Sequence, residues 1–344
     1  MGILNPLTTM FGLTTLAFLS CHAALQAQQP MMKAIVIHAY GGPEVLKLEE
    51  VARPEPKEDE ILIRLIAASV NPVDAAIRQG YLAPIIGDKL PLILGMDAAG
   101  VVEKTGVKIA KFKAGDPVYA FFTLASEGGY ADFVVAKENE VAPKPKSLTY
   151  AQAAAVPAAG STAWKALVET ADLRAGQTVL IHGGSGGVGH FAIQIAKARG
   201  ARVIATASTA NQAFLKQMGA DVPIDYTKTK FEDIAKDVDV VLDAVGEDTL
   251  KRSYGVVKKG GIIVSIVDDP DKAALEAHGI RGKSIRTEPK ANVLEELTRL
   301  IEAKKIVPVA QVLPLNEVVK AHEQIATRHT RGKIVLQVAE EPKN

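Results

Sequence analysis

A glycine-rich loop is the segment of this chain with the most direct chemical meaning. Residues 183–189 read GGSGGVG, between the apolar run TVLIH and the helical-looking HFAIQIAKA. In a strand–loop–helix setting, the first glycine of G-x-G-x-x-G permits the tight turn, the second lets the backbone approach a diphosphate, and the third lets the helix pack closely. The free N–H groups at the helix N-terminus would bind that diphosphate. The pattern predicts a dinucleotide site at Gly184, Ser185, Gly186, Gly187, Val188 and Gly189. The alternative is a glycine-rich turn without a ligand.

The end of the following strand indicates which dinucleotide binds. An NAD site usually has Asp or Glu there, which accepts hydrogen bonds from the ribose hydroxyls. This chain has RVIATAST, with hydroxyls at Thr206, Ser208 and Thr209 and no carboxylate. A carboxylate would repel a 2′-phosphate, whereas hydroxyls and a nearby cation accept one. NADPH is therefore favoured over NADH, with Lys216 either as the cation or as an ordinary solvated helix lysine.

The elements that must position this loop fall into two patterns. From Lys33 to about Pro157, short apolar-alternating runs are separated by Gly, Pro and charged turns, which is typical of β-structure. From about Ala158 to Glu288, nearly continuous apolar strands alternate with helices, as in a parallel sheet that is covered on both faces. A final helix, about 316–328, leads into the strand GKIVLQV. We predict a doubly wound α/β domain, 158–288, inserted in a β-rich domain of residues 31–157 and 289–344.

The helix after the glycine loop has an apolar face, which places it against the sheet. That face comprises Val188, Phe191, Ala192 and Ile195, and Gly200 is a natural stop. The opposite face carries Gln194, Lys197 and Arg199.

Composition narrows the classes of function. The chain has 344 residues, 48% apolar content and a net charge of +1, which gives no electrostatic footprint for nucleic acid or an anionic membrane. Its one cysteine, Cys21, excludes a disulfide framework and a cysteine-built zinc site within one chain.

Residues 1–30 differ from the rest and resemble a leader segment. No charged residue precedes Lys33, and Met10–Leu19 has the length of a signal-peptide apolar region but is too short to span a membrane. Cleavage after residue 27 would give an exported, periplasmic protein. The positive n-region is missing, however, and Met31 and Met32 stand where the first strand begins. Translation from either would give a cytoplasmic protein, and both alternatives stay open.

Several motifs occur in an order that resembles a known family. They are NPVDAAIRQG (71–80), LGMDAAGVVEKTG (94–106), GDPVYA (115–120), GGYADFVV (128–135), AAAVPAAGSTAWKAL (153–167), GGSGGVG (183–189), DAVG (243–246) and HTRGKIVL (329–336). They are similar to the medium-chain dehydrogenase/reductase superfamily, and within it to the zinc-free quinone oxidoreductases of the zeta-crystallin group and their enone-reducing relatives. The resemblance implies a Rossmann domain inserted in a GroES-like catalytic domain, and a homodimer.

The departures from the zinc alcohol dehydrogenases carry the functional information. In those enzymes the places of Asn71, Met96 and a position near Ala158 hold Cys, His and usually Cys. An amide, a thioether and a methyl group bind Zn²⁺ poorly, so we expect no metal. The remaining chemistry is hydride transfer from NADPH to a quinone or an α,β-unsaturated carbonyl compound, which is already electrophilic. The alternative is a non-catalytic NADPH-binding structural or sensor protein; a zinc alcohol dehydrogenase is disfavoured.

The resemblance also assigns catalytic positions. Asn71 precedes Pro72 and lies three residues before Asp74, so it is predicted to be a helix N-cap; by resemblance it also faces the nicotinamide and the acceptor. Thr162 matches a family position near the nicotinamide ribose, or is a helix-start hydroxyl. Tyr81 lies beside a pocket tyrosine of relatives, or serves packing. Arg78 would face the phosphates or pair with Asp74.

On the cofactor side, relatives hold the 2′-phosphate with a Lys after the second strand and a Tyr after the third. Tyr226 fits the second position, whereas Asn211 occupies the first. Val245, Gly246 and Ile266 fall where the family backbone meets the cofactor. Asp243 is interpreted as a loop anchor. We expect structural roles for His38, His182 and His329.

Overall fold

The computed structural model describes residues 29–87, 89–123 and 128–342. Of the leader-like segment 1–30, only Gln29 and Pro30 are among them, and the apolar run 10–19, Cys21 and the candidate cleavage site lie outside. Within the described ranges, no helix combines the length and the apolar character needed to cross a bilayer.

The first part of the chain forms two packed sheets. A small sheet has the order β2-β1-β4, and a larger antiparallel sheet is built around β3, which pairs with β5 and β7. The strands are β1 Met31–Ile37, β2 Lys47–Ala52, β3 Glu60–Val70, β4 Leu92–Ile93, β5 Asp97–Thr105, β6 Pro117–Phe121, β7 Phe133–Lys137 and β8 Val141–Pro143. The helices are α1 Pro72–Arg78, α2 Ala83–Ile86, α3 Tyr150–Ala154 and α4 Pro157–Trp164, which continues as a π-helix over Lys165–Thr170.

The middle of the chain folds around a parallel sheet of order β11-β10-β9-β12-β13-β14. This is the doubly wound order 3-2-1-4-5-6 of a Rossmann domain, which confirms the predicted fold class. Its strands are β9 Thr178–Ile181, β10 Arg202–Ala207, β11 Val222–Asp225, β12 Val238–Asp243, β13 Val257–Ser265 and β14 Arg281–Ser284. Its helices are α5 Gly187–Ala198, α6 Gln212–Met218, α7 Phe231–Ile234, α8 Glu247–Ser253 and α9 Lys272–His278.

The last part of the chain returns to the first sheet. After α10 (Ala291–Glu302), strand β15 (Ala310–Pro314) pairs with β16 (Lys333–Gln337), and β16 pairs antiparallel with β3. The predicted final helix is α11 (Val318–Ala326), preceded by a 3₁₀ turn. Because β16 joins β3, the C-terminal strand brings its first residues next to Val70, the last residue of β3, and Asn71, which follows it.

Helix α5 is covered on both sides. Phe191, Ala192 and Ile195 are buried as predicted, but Gln194 is also buried. Its side-chain amide exchanges hydrogen bonds with the backbone N–H and C=O of Val307, on the segment before β15. The face opposite the sheet is therefore covered by a segment more than a hundred residues away in the chain. Lys197 does reach the surface, where it pairs with Asp221.

Close packing of α5 on β9 depends on Gly189. A methyl group there would lie 2.2 Å from the backbone oxygen of Gly183, well inside contact distance. We expect Gly189→Ala to lower the free energy of unfolding by about 2–4 kcal/mol, because the backbone must move. Urea unfolding measures this. Gly255→Ala is the control, since a methyl group there meets nothing within 4 Å; it should change stability by less than about 0.5 kcal/mol. Equal stabilities of the two variants would contradict the packing argument.

Candidate active site

The glycine loop has the geometry of an anion cradle. The left-handed residue of the turn is Gly183 (φ +68°), one position before the motif, and not Gly184 as the motif predicts. Gly184 is required for packing instead, because a methyl group there would lie 2.9 Å from Leu215 and 3.0 Å from Ala205. Gly186 caps α5 without a side chain, so the first helical N–H groups have no capping partner. Free N–H groups at a helix N-terminus are donors suited to an anion such as a diphosphate.

The loop after β12 lies against the glycine loop. A methyl group on Gly183 would touch the side chains of Val245 and Ala244 at 3.5–3.7 Å. Asp243 anchors this loop, since its Oδ1 accepts hydrogen bonds from the N–H groups of Val245 and Gly246. Its Oδ2 accepts one from Ser265. Ile266 follows directly, with its N–H bonded to the Asp243 carbonyl. The predicted loop residues thus gather at the carboxyl edge of adjacent strands, where doubly wound folds bind ligands.

The carboxyl end of β10 carries both predicted and unpredicted groups. Tyr226 is half-exposed there, with its N–H bonded to the Ala207 carbonyl, and Ser208 is next to it. Lys216 is exposed on α6, and none of the described residues forms a hydrogen bond or ion pair with its amine. The sequence analysis missed Arg331, whose Nε donates to Asn211 Oδ1 at 2.7 Å and whose Nη2 donates to the Ala210 carbonyl. Its guanidinium lies over the Phe214 ring.

A carboxylate also lies at this end of the sheet, although β10 has none. Asp225, at the end of β11, accepts a hydrogen bond of 2.6 Å from Thr209 and others from Thr227. These hydrogen bonds hold the pKa of Asp225 below its usual value, so the group stays ionised. Arg331 and Asp225 therefore flank the same short turn, Thr209–Asn211, with opposite charges.

Asn71 is the central residue of the acceptor side of the candidate site. It occupies the N-cap position of α1, and its backbone N–H donates to Asp74 Oδ2 at 2.8 Å, as the pattern predicts. Asn71 and Asp74 form a capping-box pair, although the Asn71 side chain forms no cap hydrogen bond with the helix. The amide instead donates from Nδ2 to Asp97 Oδ1 at 2.8 Å and accepts at Oδ1 from Lys333 Nζ at 2.5 Å.

Asp97 lies beside the positions to which the resemblance assigns the zinc ligands of the zinc alcohol dehydrogenases. It is fully buried at the start of β5, directly after Met96. Its Oδ1 accepts hydrogen bonds from Asn71 and Ser69, and its Oδ2 accepts the N–H of Ala158 at 3.1 Å, near the start of α4. The sequence analysis quoted this residue within a motif but assigned it no role. In the described chain, no group of three or more His, Cys, Asp or Glu side chains is arranged to hold a metal ion.

Lys333 is the second residue that the sequence analysis missed. It begins β16, yet its side chain is buried and donates to the Val70 carbonyl as well as to Asn71. A methyl group on Gly187 would lie 3.1 Å from Lys333 Cδ, so the lysine stem packs against the glycine loop. Burial lowers the pKa of Lys333, whereas the charges of Asp97 and Asp74 raise it. A lysine at the start of a strand is usually solvated, so local sequence gives no signal for this position.

Asp74 accepts the Asn71 backbone N–H and has a pKa near neutrality. Burial raises its pKa to about 7, against the hydrogen bonds from the Asn71 N–H and the Tyr130 hydroxyl, which lower it. Arg78 forms no hydrogen bond or ion pair with Asp74. The prediction of that pair was wrong, since Arg78 is buried near Tyr130 and His322 instead.

The structure does not bring the other two predicted catalytic residues onto Asn71. The Thr162 hydroxyl donates to the Ala158 carbonyl and bonds Thr287, from the middle of α4 rather than its start. Tyr81 is 73% exposed, and no described residue forms a side-chain hydrogen bond with it.

The histidines have structural contacts, as expected. Buried His182 bridges Thr206 and Ser253, and burial lowers its pKa to about 3. His190, which the sequence analysis did not single out, bonds the Gly186 carbonyl. Burial lowers the pKa of His190 to about 4, so both rings are neutral at physiological pH. His38 pairs with Glu49 on the surface, and His329 Nδ1 forms a hydrogen bond with the Thr327 carbonyl two residues before it.

Two family models and several known proteins are similar to this chain. Residues 57–146 match the alcohol dehydrogenase GroES-like domain, and residues 218–336 match the family described as zinc-binding dehydrogenase. The chain is 39% identical to the NADPH-dependent alkenal/one oxidoreductase of Arabidopsis thaliana, over 89% of this chain and 79% of that protein. It is 34% identical to the quinone oxidoreductase of Sus scrofa, over 90% and 98%. The structure of the quinone oxidoreductase from Coxiella burnetii superposes with a TM-score of 0.83 at 36% identity, covering 90% of this chain and 100% of the other.

The raised pKa of Asp74 predicts a pH dependence of stability. A carboxyl group whose pKa is higher in the folded protein binds its proton more tightly there. The stability that it contributes is therefore full below its unfolded pKa of about 4 and is lost as pH rises toward 7. We expect the free energy of unfolding of the wild type, relative to Asp74→Asn, to fall over this range by up to about 4 kcal/mol.

Urea unfolding from pH 4 to pH 8 would measure this difference. The control is Asp59→Asn, an exposed carboxyl group bonded to Lys137, for which no such fall is expected. A wild-type minus Asp74→Asn difference that is constant or rises with pH would show that Asp74 is not protonated in the folded protein.

Proposed function

Because this chain belongs to the medium-chain dehydrogenase/reductase superfamily, among its quinone oxidoreductases and alkenal reductases, we propose that it reduces quinones or α,β-unsaturated carbonyl compounds with NADPH and without zinc. The family membership confirms the resemblance expected from the motifs. One observation carries the proposal: the Asn71 amide and the Ala158 backbone N–H both donate to Asp97, which directly follows Met96 in the chain.

The described residues fit a dinucleotide. Gly186 leaves open space beside uncapped helical N–H groups, since a methyl group there would meet only the Gly183 carbonyl at 3.3 Å. Gly187, Val188 and Gly189 would therefore hold the diphosphate, and the loop at Val245 and Gly246 would flank it. When bound, the nicotinamide supplies the hydride.

The chemistry on the acceptor side follows from Asn71. Its amide is already bonded on both sides, and the Lys333 ammonium group is 2.5 Å from its oxygen. A positive charge at this place opposes a second cation, so a zinc ion is disfavoured by electrostatics as well as by ligand chemistry. A quinone or an enone needs no Lewis acid, because conjugation makes the accepting atom electrophilic. In the proposal, Asn71 lies beside the acceptor oxygen, and the proton comes from water or a pocket hydroxyl.

The preference for NADPH is supported by Arg331. The 2′-phosphate of NADPH lies at the end of the second strand of a Rossmann domain, where Ser208 and Tyr226 are also found. The lysine of relatives is replaced by Asn211, and Arg331 binds to that asparagine. The guanidinium thus supplies the cation that position 211 lacks, and it offsets the negative charge of Asp225 on the same turn.

The reaction can be tested directly with the purified protein. NADPH absorbance is followed with 1,4-benzoquinone, with an α,β-unsaturated ketone and, in reverse, with NADP⁺ and a primary alcohol. We expect oxidation of NADPH by the quinone, the enone or both, and no reaction with the alcohol. Tight NADPH binding without turnover across a panel of acceptors would instead favour a sensor or structural protein. Stoichiometric zinc would contradict the proposed mechanism.

Cofactor choice gives a second test. Arg331→Gln removes the charge that would bind the 2′-phosphate, so the KM for NADPH should rise about 10–100-fold, the loss of one charge-assisted hydrogen bond. The KM for NADH should change by less than about 3-fold, since NADH lacks that phosphate. Arg299→Gln, an exposed arginine on α10 paired with Glu296, is the control. An equal rise for both cofactors would show that Arg331 only supports the turn.

A further inference from the structure

The orientation of the Asn71 amide is fixed by chemistry. Lys333 can only donate a hydrogen bond, and an ionised Asp97 can only accept one. The amide oxygen must therefore face Lys333 and the nitrogen must face Asp97, as their distances of 2.5 and 2.8 Å show. A flipped amide would place oxygen against carboxylate and N–H groups against the ammonium, and both contacts would be repulsive.

This arrangement leaves one amide hydrogen unused. A carboxamide nitrogen has two N–H groups, of which Asp97 takes one. No second acceptor for it is found in the described residues, and Asn71 is 6% exposed. The hydrogen bond from Lys333 to the amide oxygen and the hydrogen bond from the other N–H to Asp97 together fix the direction of this free N–H. The buried ammonium at the amide oxygen also polarises the group, and this effect is larger in a low-dielectric site than in water.

Lys333 connects this amide to the cofactor loop. Its stem packs on Gly187, the first residue of α5. The N–H of the preceding residue, Gly332, donates to the Ser185 carbonyl inside the glycine loop at 2.9 Å. Gly332 and Lys333 thus both contact the glycine loop that would hold the dinucleotide, and Lys333 also contacts the Asn71 amide that would face the acceptor.

We propose that Lys333 is a positioning residue for hydride transfer: with Asp97 it fixes and polarises the Asn71 amide, so that its free N–H donates to the oxygen of the acceptor as negative charge develops there. This inference rests on the proposed function. Lys333 is buried behind Asn71 and acts through it. Donors that are preorganised in this way contribute to catalysis because they need no rearrangement when the charge appears.

A double-mutant cycle tests the proposal. Lys333→Met keeps the apolar stem against Gly187 and removes the charge. We expect it to lower kcat for quinone or enone reduction about 30-fold or more, the scale of one lost preorganised interaction. In an Asn71→Ala background the same change should lower kcat by less than about 3-fold, because the group through which Lys333 acts is gone. Lys333→Gln, which keeps a neutral donor, should recover part of the kcat of Lys333→Met.

Binding of NADPH, measured by its fluorescence, separates positioning from general support of the loop. The Kd should change by less than about 3-fold in Lys333→Met, since the stem contact is kept. Equal loss of kcat in both backgrounds, or a rise in Kd as large as the loss of kcat/KM, would overturn the proposal. If Lys333→Met does not fold, Lys333→Gln takes its place in the cycle. A wild type that reduces no acceptor would instead refute the proposed function itself.

Discussion

A buried negative charge at Asp97 is the constraint on which the site depends. An ionised carboxylate is stable in the protein interior only when it is hydrogen-bonded and its charge is offset. Here three donors bind it directly, namely Ser69 in β3, Asn71 just after β3 and Ala158 in α4, and the ammonium of Lys333 offsets it through the Asn71 amide. These partners come from three parts of the chain, so the carboxylate determines where the end of β3, the start of α4 and β16 meet.

The same arrangement explains why the return of the chain to its first sheet matters for function. Strand β16 adds to β3 and carries Lys333 to Asn71, while the preceding turn contacts the glycine loop and carries Arg331 to Asn211. The segment before β15 also covers the second face of α5 through Gln194. The C-terminal segment therefore places groups at both ends of the candidate cofactor site. Substitutions at Arg331 and at Lys333 therefore act on different ends of this site.

Several features could be predicted because their causes are local. The glycine loop needs small residues between a strand and a helix, and the strand order follows from alternating strand and helix patterns. Asp243 as a loop anchor and the backbone half of the Asn71 cap are also short-range. Predictions failed where a distant segment changed the surroundings. One of the two roles suggested for Arg78 was a pair with Asp74, which it does not form, and no local pattern predicted that Gln194 would be buried against Val307.

The sequence alone determined the family, the doubly wound fold, the dinucleotide loop and the loss of the zinc ligands, because each is carried by residue types at short, fixed spacings. Only the tertiary structure decided that Asp97 is the centre of the site, that Lys333 is buried against Asn71, and that Arg331 lies at the end of β10. In sequence, a lysine at the start of a strand and an arginine in a turn have the pattern of solvated surface residues. Their roles depend on contacts between residues about 120 and 260 positions apart, and such contacts exist only once burial and strand pairing bring them together.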